Sequence, residues 1–269
     1  MIGLTLAQRR GVVQLAANAL PELLELLGSP IIPLDYLKCP LSPNSRAEVE
    51  AARKHRPVLL HGWGPPGYSV SMARVPEPAL LQELAALSDT PYLSAHMDYV
   101  PDRDGELTPA GLLLRMRQSV EELRRLTGLE VLLENLPFVP WGNRPRYLSD
   151  PEFIREALEA TQTAFLLDLA HARIAAHHRH QDLGGYLERM PLQGVIELHV
   201  SGPRLEENGL RDRHRALSQA DYEALEWVVS RTPHLRMLTL EYQGQNGGPR
   251  VWLEQLERLD ALRHRLNHR

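Results

Sequence analysis

The chain has 269 residues, 43% hydrophobic and 24% charged, with a net charge of −4 and no block of like charge. That excludes a disordered tail, a collagen or a coiled coil, and the length suits the ~250 residues that eight strand–helix units need. No window approaches the ~18 consecutive apolar residues of a membrane span, no basic segment with an apolar core opens the chain, and a single cysteine, Cys39, excludes an internal disulfide, so the expectation is a cytoplasmic protein with neither a membrane nor a nucleic-acid partner.

Short apolar runs predict eight strands, at residues 2–6, 31–37, 58–61, 92–96, 130–134, 164–168, 195–200 and 237–241. Several are apolar throughout, as in a parallel sheet covered on both faces. Between them a helical period predicts helices over 11–27, 112–127, 150–160, 184–190, 219–230 and 251–266. Ser149 or Asp150 with Pro151, and Ser218, are start signals; Gly128 is a stop signal. This alternation predicts a (β/α)8 TIM barrel forming one domain over 1–269, with an open doubly wound sheet as the alternative. The first predicted strand is not followed by a glycine-rich phosphate loop, which speaks against dinucleotide binding.

At or next to their C-terminal ends the last six predicted strands carry His61, His96, Glu134, Asp168, His199 and Glu241. In a barrel these ends converge on one mouth. Three carboxylates gathered there would repel unless cations lay between them, and imidazole with carboxylate is a ligand set for zinc, iron or manganese. Asp168-Leu-Ala-His171 adds an imidazole one turn on. Asp212-Arg-His214 directs two more ligand types to one side if extended, so His171, Asp212 and His214 form a second candidate cluster. A lone histidine at a strand end is usually structural, and a lone carboxylate usually a cap or ion-pair partner; six successive ends carrying ligand types is the stronger signal. Asn135 reads as a supporting donor or a strand-end cap. His177, His178 and His180 read as a solvated face, Cys39 as a small buried hydrophobe after the second strand, and Arg213 as a surface arginine. Trp63 and Trp141 either line a pocket or pack under the strand-end loops.

The segments His61-Gly-Trp-Gly, Ser94-Ala-His96, Leu133-Glu134-Asn135, Leu167-Asp168 through His171, Glu197-Leu-His199-Val-Ser-Gly202 and Asp212-Arg-His214 occur in this order. Together they resemble the multinuclear non-haem iron-dependent oxidases, first named as domain of unknown function 692, within the xylose-isomerase-like TIM-barrel superfamily. The resemblance runs from Ile2 to about Tyr242. The ligand order is also similar to that of the three-zinc abasic-site endonucleases of that superfamily, although their "DTCH" segment is Asp168-Leu-Ala-His171 here. The resemblance implies one metal at His61, His96 and Glu134, a second at Asp168, His199 and Glu241 with Glu134 as bridge, and a third at His171, Asp212 and His214. It implies two or three iron ions, in a ligand set that also accepts zinc or manganese, with Glu134, Asp168 and His199 as the catalytic residues. It implies O2-dependent oxidation of a ribosomally made peptide that a small partner protein presents. The alternatives are a metal-dependent phosphodiesterase or abasic-site nuclease, a sugar isomerase, and a catalytically silent binding barrel. The oxidases commonly carry an acidic residue after the second strand, for which the nearest here is Asp35.

Overall fold

Eight short parallel strands close on themselves in the computed structural model, which describes residues 12–27, 32–39, 44–61, 68–244 and 247–268. They are β1 (Gln14–Asn18), β2 (Tyr36–Cys39), β3 (Val58–His61), β4 (Leu93–His96), β5 (Val131–Glu134), β6 (Ala164–Asp168), β7 (Val195–Val200) and β10 (Met237–Leu240). β1 pairs with β2 on one side and β10 on the other, so the sheet has no edge. Helices cover the outside, the longest being Pro109–Thr127 and Gly248–Asn267. This is a closed (β/α)8 TIM barrel, not the open sheet.

The first strand departs from expectation. The predicted strand over 2–6 lies outside the described residues, and the helix predicted over 11–27 is replaced by β1 followed by a short helix, Pro21–Leu26. Val12, Leu15, Ala16 and Ala19 fit a helical period, but Leu15, Ala16 and Ala17 are all inaccessible to solvent. A surface helix buries one stripe, whereas a strand between β2 and β10 buries both faces, and tertiary pairing overrides the helix propensity of alanine. The second strand was expected over 31–37 and lies at Tyr36–Cys39. Pro33 has no backbone N–H to give the ladder, so strand pairing begins beyond it. Cys39 is thus inside β2 rather than after it, 3% exposed, and burial pushes its thiol up to about 12.

The remaining start and stop signals lie where they were read. Asp150 precedes Pro151–Thr161, Gly128 ends its helix at φ 70°, and Ser218 and Asp221 form a reciprocal cap on Gln219–Val229. A two-stranded antiparallel hairpin, β8 (Gly202–Glu206) with β9 (Gly209–Arg215), follows β7 and was not foreseen. Its polar, arginine-rich sequence carries no alternation of apolar residues.

The apolar core has two parts. The larger packs the outer faces of the strands against the helices. The smaller, including Leu59, Tyr92, Leu132, Leu166 and Met237, plugs the barrel interior. Side chains two apart on a strand point the same way. Leu59, Leu132 and Leu166 therefore face inward with His61, Glu134 and Asp168, one layer below them.

Candidate metal centre

The strand registers set the ligand types side by side. His96 is the in-register partner of Glu134, and Asp168 of His199. His61 Nε2 lies 3.0 Å from His96 Nε2 and 2.9 Å from Glu134 Oε2, and His96 Nε2 lies 3.2 Å from the same oxygen. Two donor atoms ~2.1 Å from one ion stand roughly 3.0–3.4 Å apart, so this triangle has the size of a coordination shell. His61 Nδ1 meets Ser94 Oγ at 2.7 Å, and that hydroxyl donates onward to Leu60 O. Nδ1 therefore donates to Ser94, and the Nε2 lone pair faces the centre. Burial and the Lys38 charge pull His61 down to about 4, which keeps the ring neutral and ligand-ready.

Glu134 reaches both ways. Its Oε1 lies 3.2 Å from His171 Nδ1 and 3.9 Å from His199 Nδ1, on the side away from the His61–His96 pair. Three triplets lie close enough to hold an ion: His61, His96 and Glu134; Glu134, Asp168 and His171; Asp168, His199 and Glu241. Glu134 and Asp168 each belong to two of them. Glu134 Oε2, Asp168 Oδ2 and His199 Nδ1 are buried and have no hydrogen-bond partner. Orphaned buried polar atoms are costly, and cations held by His61, His96 and Glu134 and by Asp168, His199 and Glu241 would satisfy them.

His171, Asp212 and His214 also come together. Asp212 Oδ2 lies 3.3 Å from His171 Nε2 and 3.1 Å from His214 Nε2. His171 Nδ1 donates to the Asn135 carbonyl at 2.9 Å, which turns its Nε2 toward Asp212. His214 holds a left-handed backbone at φ 43°. Such strain in a non-glycine residue persists where the surroundings enforce it. Arg213 between them is exposed and paired with Glu206, as a surface arginine should be.

Asn135 supports the centre rather than joining it. Its amide donates to Asp168 O at 3.0 Å and accepts from Asp168 N at 2.8 Å, clamping the ends of β5 and β6. Two residues were missed in the sequence. Glu197, 1% exposed, lies one layer below His199 and accepts from its Nε2 at 3.0 Å and from Thr239 at 2.6 Å. That bond turns His199 Nδ1 toward the ligands. The Glu197-Leu-His199 spacing was the available signal, two residues apart on one strand. Lys38 on β2, also buried, bonds Glu241 Oε1. Asp35, by contrast, precedes β2 and binds Leu15 N and Arg263 at the opposite end of the barrel, so it takes no part. Trp63 lies outside the described residues. Trp141 is 45% exposed, under the Arg211 guanidinium and edge-on to His178, so neither expectation for it holds. A cavity of about 390 Å³ opens over the ligands, lined among others by Asn18, Lys38, Arg144 and Gln243.

The charges are coupled. Burial opposes ionisation of Glu134, but the surrounding imidazoles, the His171 hydrogen bond among them, outweigh it and hold its carboxyl well below the usual range. Asp168 goes the other way, raised by burial and by Glu241, Glu134 and Asp212. Burial disfavours the charged His199, yet Glu241 and Glu197 raise it to about 9. Its proton stabilises the metal-free fold fully below the ordinary value of 6.5, and that contribution is lost as pH rises through about 9. A metal must displace this proton to reach Nδ1. Apparent zinc affinity should therefore tighten between pH 6.5 and 8.5, by about tenfold per unit for each displaced proton. A dissociation constant flat over that range in a metal buffer would exclude the displacement.

Residues 30–263 match the family described as the RiPP precursor modification enzyme MbnB/TglH/ChrH. The chain belongs to this family. The resemblance carried by its motifs is thereby borne out. The chain is 27% identical over 183 residues to a UPF0276 protein of Caulobacter vibrioides, covering 63% of this chain and 64% of that one. It is 28% identical over 170 residues to the UPF0276 protein RB0508 of Rhizobium meliloti, covering 58% and 52%. It thus spans less than two thirds of the length of these relatives. Among solved structures, an AP endonuclease, family 2, from Brucella melitensis superposes with TM-score 0.60 at 17% identity, covering 93% of this chain and 98% of that one. A xylose isomerase domain protein from Alicyclobacillus acidocaldarius superposes with TM-score 0.59 at 17% identity, covering 96% and 99%. These likenesses establish the shared barrel fold. Among its described residues no helix is long and apolar enough to cross a membrane.

Proposed function

We propose that this chain is a multinuclear iron enzyme that uses O2 to oxidise a ribosomally made peptide. One observation carries the reading: within a chain of the RiPP-modifying family, three triplets of imidazoles and carboxylates that share Glu134 and Asp168 lie close enough to hold an ion, and Glu134 Oε2, Asp168 Oδ2 and His199 Nδ1 among them are buried without a hydrogen-bond partner. His61, His96 and Glu134 would hold one ion; Asp168, His199 and Glu241, with Glu134 as bridge, a second; His171, Asp212 and His214 a third. Iron held by imidazole and carboxylate with open positions supplies O2 chemistry, and the same donors accept zinc or manganese. The chain's own work is to orient and to exclude. Ser94, Glu197 and the Asn135 carbonyl fix which nitrogen of His61, His199 and His171 faces the centre. Glu134, Asp168 and His199 are the residues assigned to catalysis. The open cavity admits a peptide side chain or terminus, delivered by a small partner protein. The whole chain, 1–269, acts as one domain in the cytoplasm.

Protein made anaerobically with iron should give a mixed-valence electron paramagnetic resonance signal and consume O2 when its peptide is added. Zinc alone under iron-replete expression, with cleavage of abasic DNA, would refute this reading in favour of a nuclease, in which two metals clamp the attacking and leaving oxygens. A nuclease must also hold a duplex through many phosphate contacts. At this mouth Arg144 is paired with Asp98 and Arg213 with Glu206. No duplex binding should be measurable at physiological salt; a sub-micromolar, steeply salt-dependent dissociation constant would show otherwise.

A further inference from the structure

The mouth of the barrel contains a cation of its own. Lys38 is 4% exposed and its ammonium bonds Glu241 Oε1. That same oxygen lies 3.4 Å from His199 Nδ1, in the triplet that Asp168 completes. A dication entering between Asp168, His199 and Glu241 meets an ammonium already seated on one of its donor atoms. The adjacent strand offers that ammonium another place. Asn18 on β1 is the in-register partner of Lys38, both line the cavity, and Asn18 Oδ1 is buried, with no hydrogen-bond partner. The residue type fits the task as well. Of 30 lysines and arginines, only Lys38 and Lys54 are lysines, and a compact ammonium on a flexible stem can swing between two acceptors where a planar guanidinium cannot.

We propose that Lys38 is a resident cation of the centre: it holds Glu241 when no metal is bound, releases it by turning to Asn18, and so weakens binding of the ion between Asp168, His199 and Glu241. This rests on the metal-binding reading above. The test is titration of the metal-free full chain with zinc alone, with affinity and stoichiometry read together. Lys38→Met and Lys38→Gln should each bind one ion more tightly, on the order of tenfold or more, as expected when a like charge a few ångströms from a dication is removed in a protein interior. Their metal-free melting temperatures should fall, because the buried carboxylates lose their ammonium. Lys38→Gln, which keeps a donor for Glu241 without the charge, is read in parallel in case Lys38→Met does not fold without metal. Asn18→Leu should weaken binding of that ion in the Lys38 chain and leave it unchanged in the Lys38→Met chain. Equal or weaker zinc binding in both Lys38 variants overturns the proposal while metal binding by the wild type stands. Wild-type affinity in Asn18→Leu overturns the handover to Asn18. If neither wild type nor variants bind zinc, the metal-binding reading falls and this inference with it.

Discussion

Glu134→Ala should strip about two equivalents of metal and abolish turnover, whereas His214→Ala should strip about one and leave the other ions spectroscopically present. The difference follows from geometry. Glu134 Oε2 faces His61 and His96, while Oε1 faces His171 and His199. Its removal takes a donor from two positions at once, and also a negative charge that holds two cations close. Among the described residues His214 reaches only Asp212 at ion-pair distance, with Glu241 Oε2 at the margin, 4.0 Å away. Its loss leaves the triplets around Glu134 and Asp168 intact. Elemental analysis of both variants beside wild type, purified identically, decides between them. Equal losses of one metal would remove the bridge; undiminished metal in both would remove the constellation.

Glu197→Ala should have the second largest effect, though Glu197 touches no metal in this reading. It is the buried partner of His199 Nε2 and of Thr239. Without it a buried imidazole N–H is left unpaired and free to rotate, a loss of about 3–5 kcal/mol for a broken buried pair. Affinity for the ion at His199 should fall about 10–100-fold. Glu197→Gln keeps the shape and an acceptor oxygen, so it should recover most of the stability while still binding metal more weakly than wild type. Denaturant unfolding gives the first number and metal titration the second. Should both variants bind metal as wild type does, Glu197 is merely structural.

The alternation of apolar runs with helical stretches was enough to read a barrel, because a parallel strand buried on both faces leaves a compact signature of four to six residues. It failed at β1, where Leu15-Ala16-Ala17 fits either period and only pairing with β2 and β10 decides. The candidate ligands were legible for a related reason. Strand ends in a barrel converge, so the first polar residue after each apolar run could be placed at the mouth without coordinates. What the sequence could not supply is the facing of individual atoms. Whether His171 presents Nδ1 or Nε2 depends on the Asn135 carbonyl one strand away, and whether Glu134 spans two positions depends on the register of β4, β5 and β6. Lys38 was invisible for the same reason: it sits inside an otherwise apolar run and looks like an interruption until the fold places Glu241 within hydrogen-bonding distance, whereas Glu197 had a local signal in its spacing to His199. Composition and period are local properties of the chain and determined the architecture. Charge pairing acts across long stretches of chain, 203 residues between Lys38 and Glu241, and only the closed barrel brings those charges together.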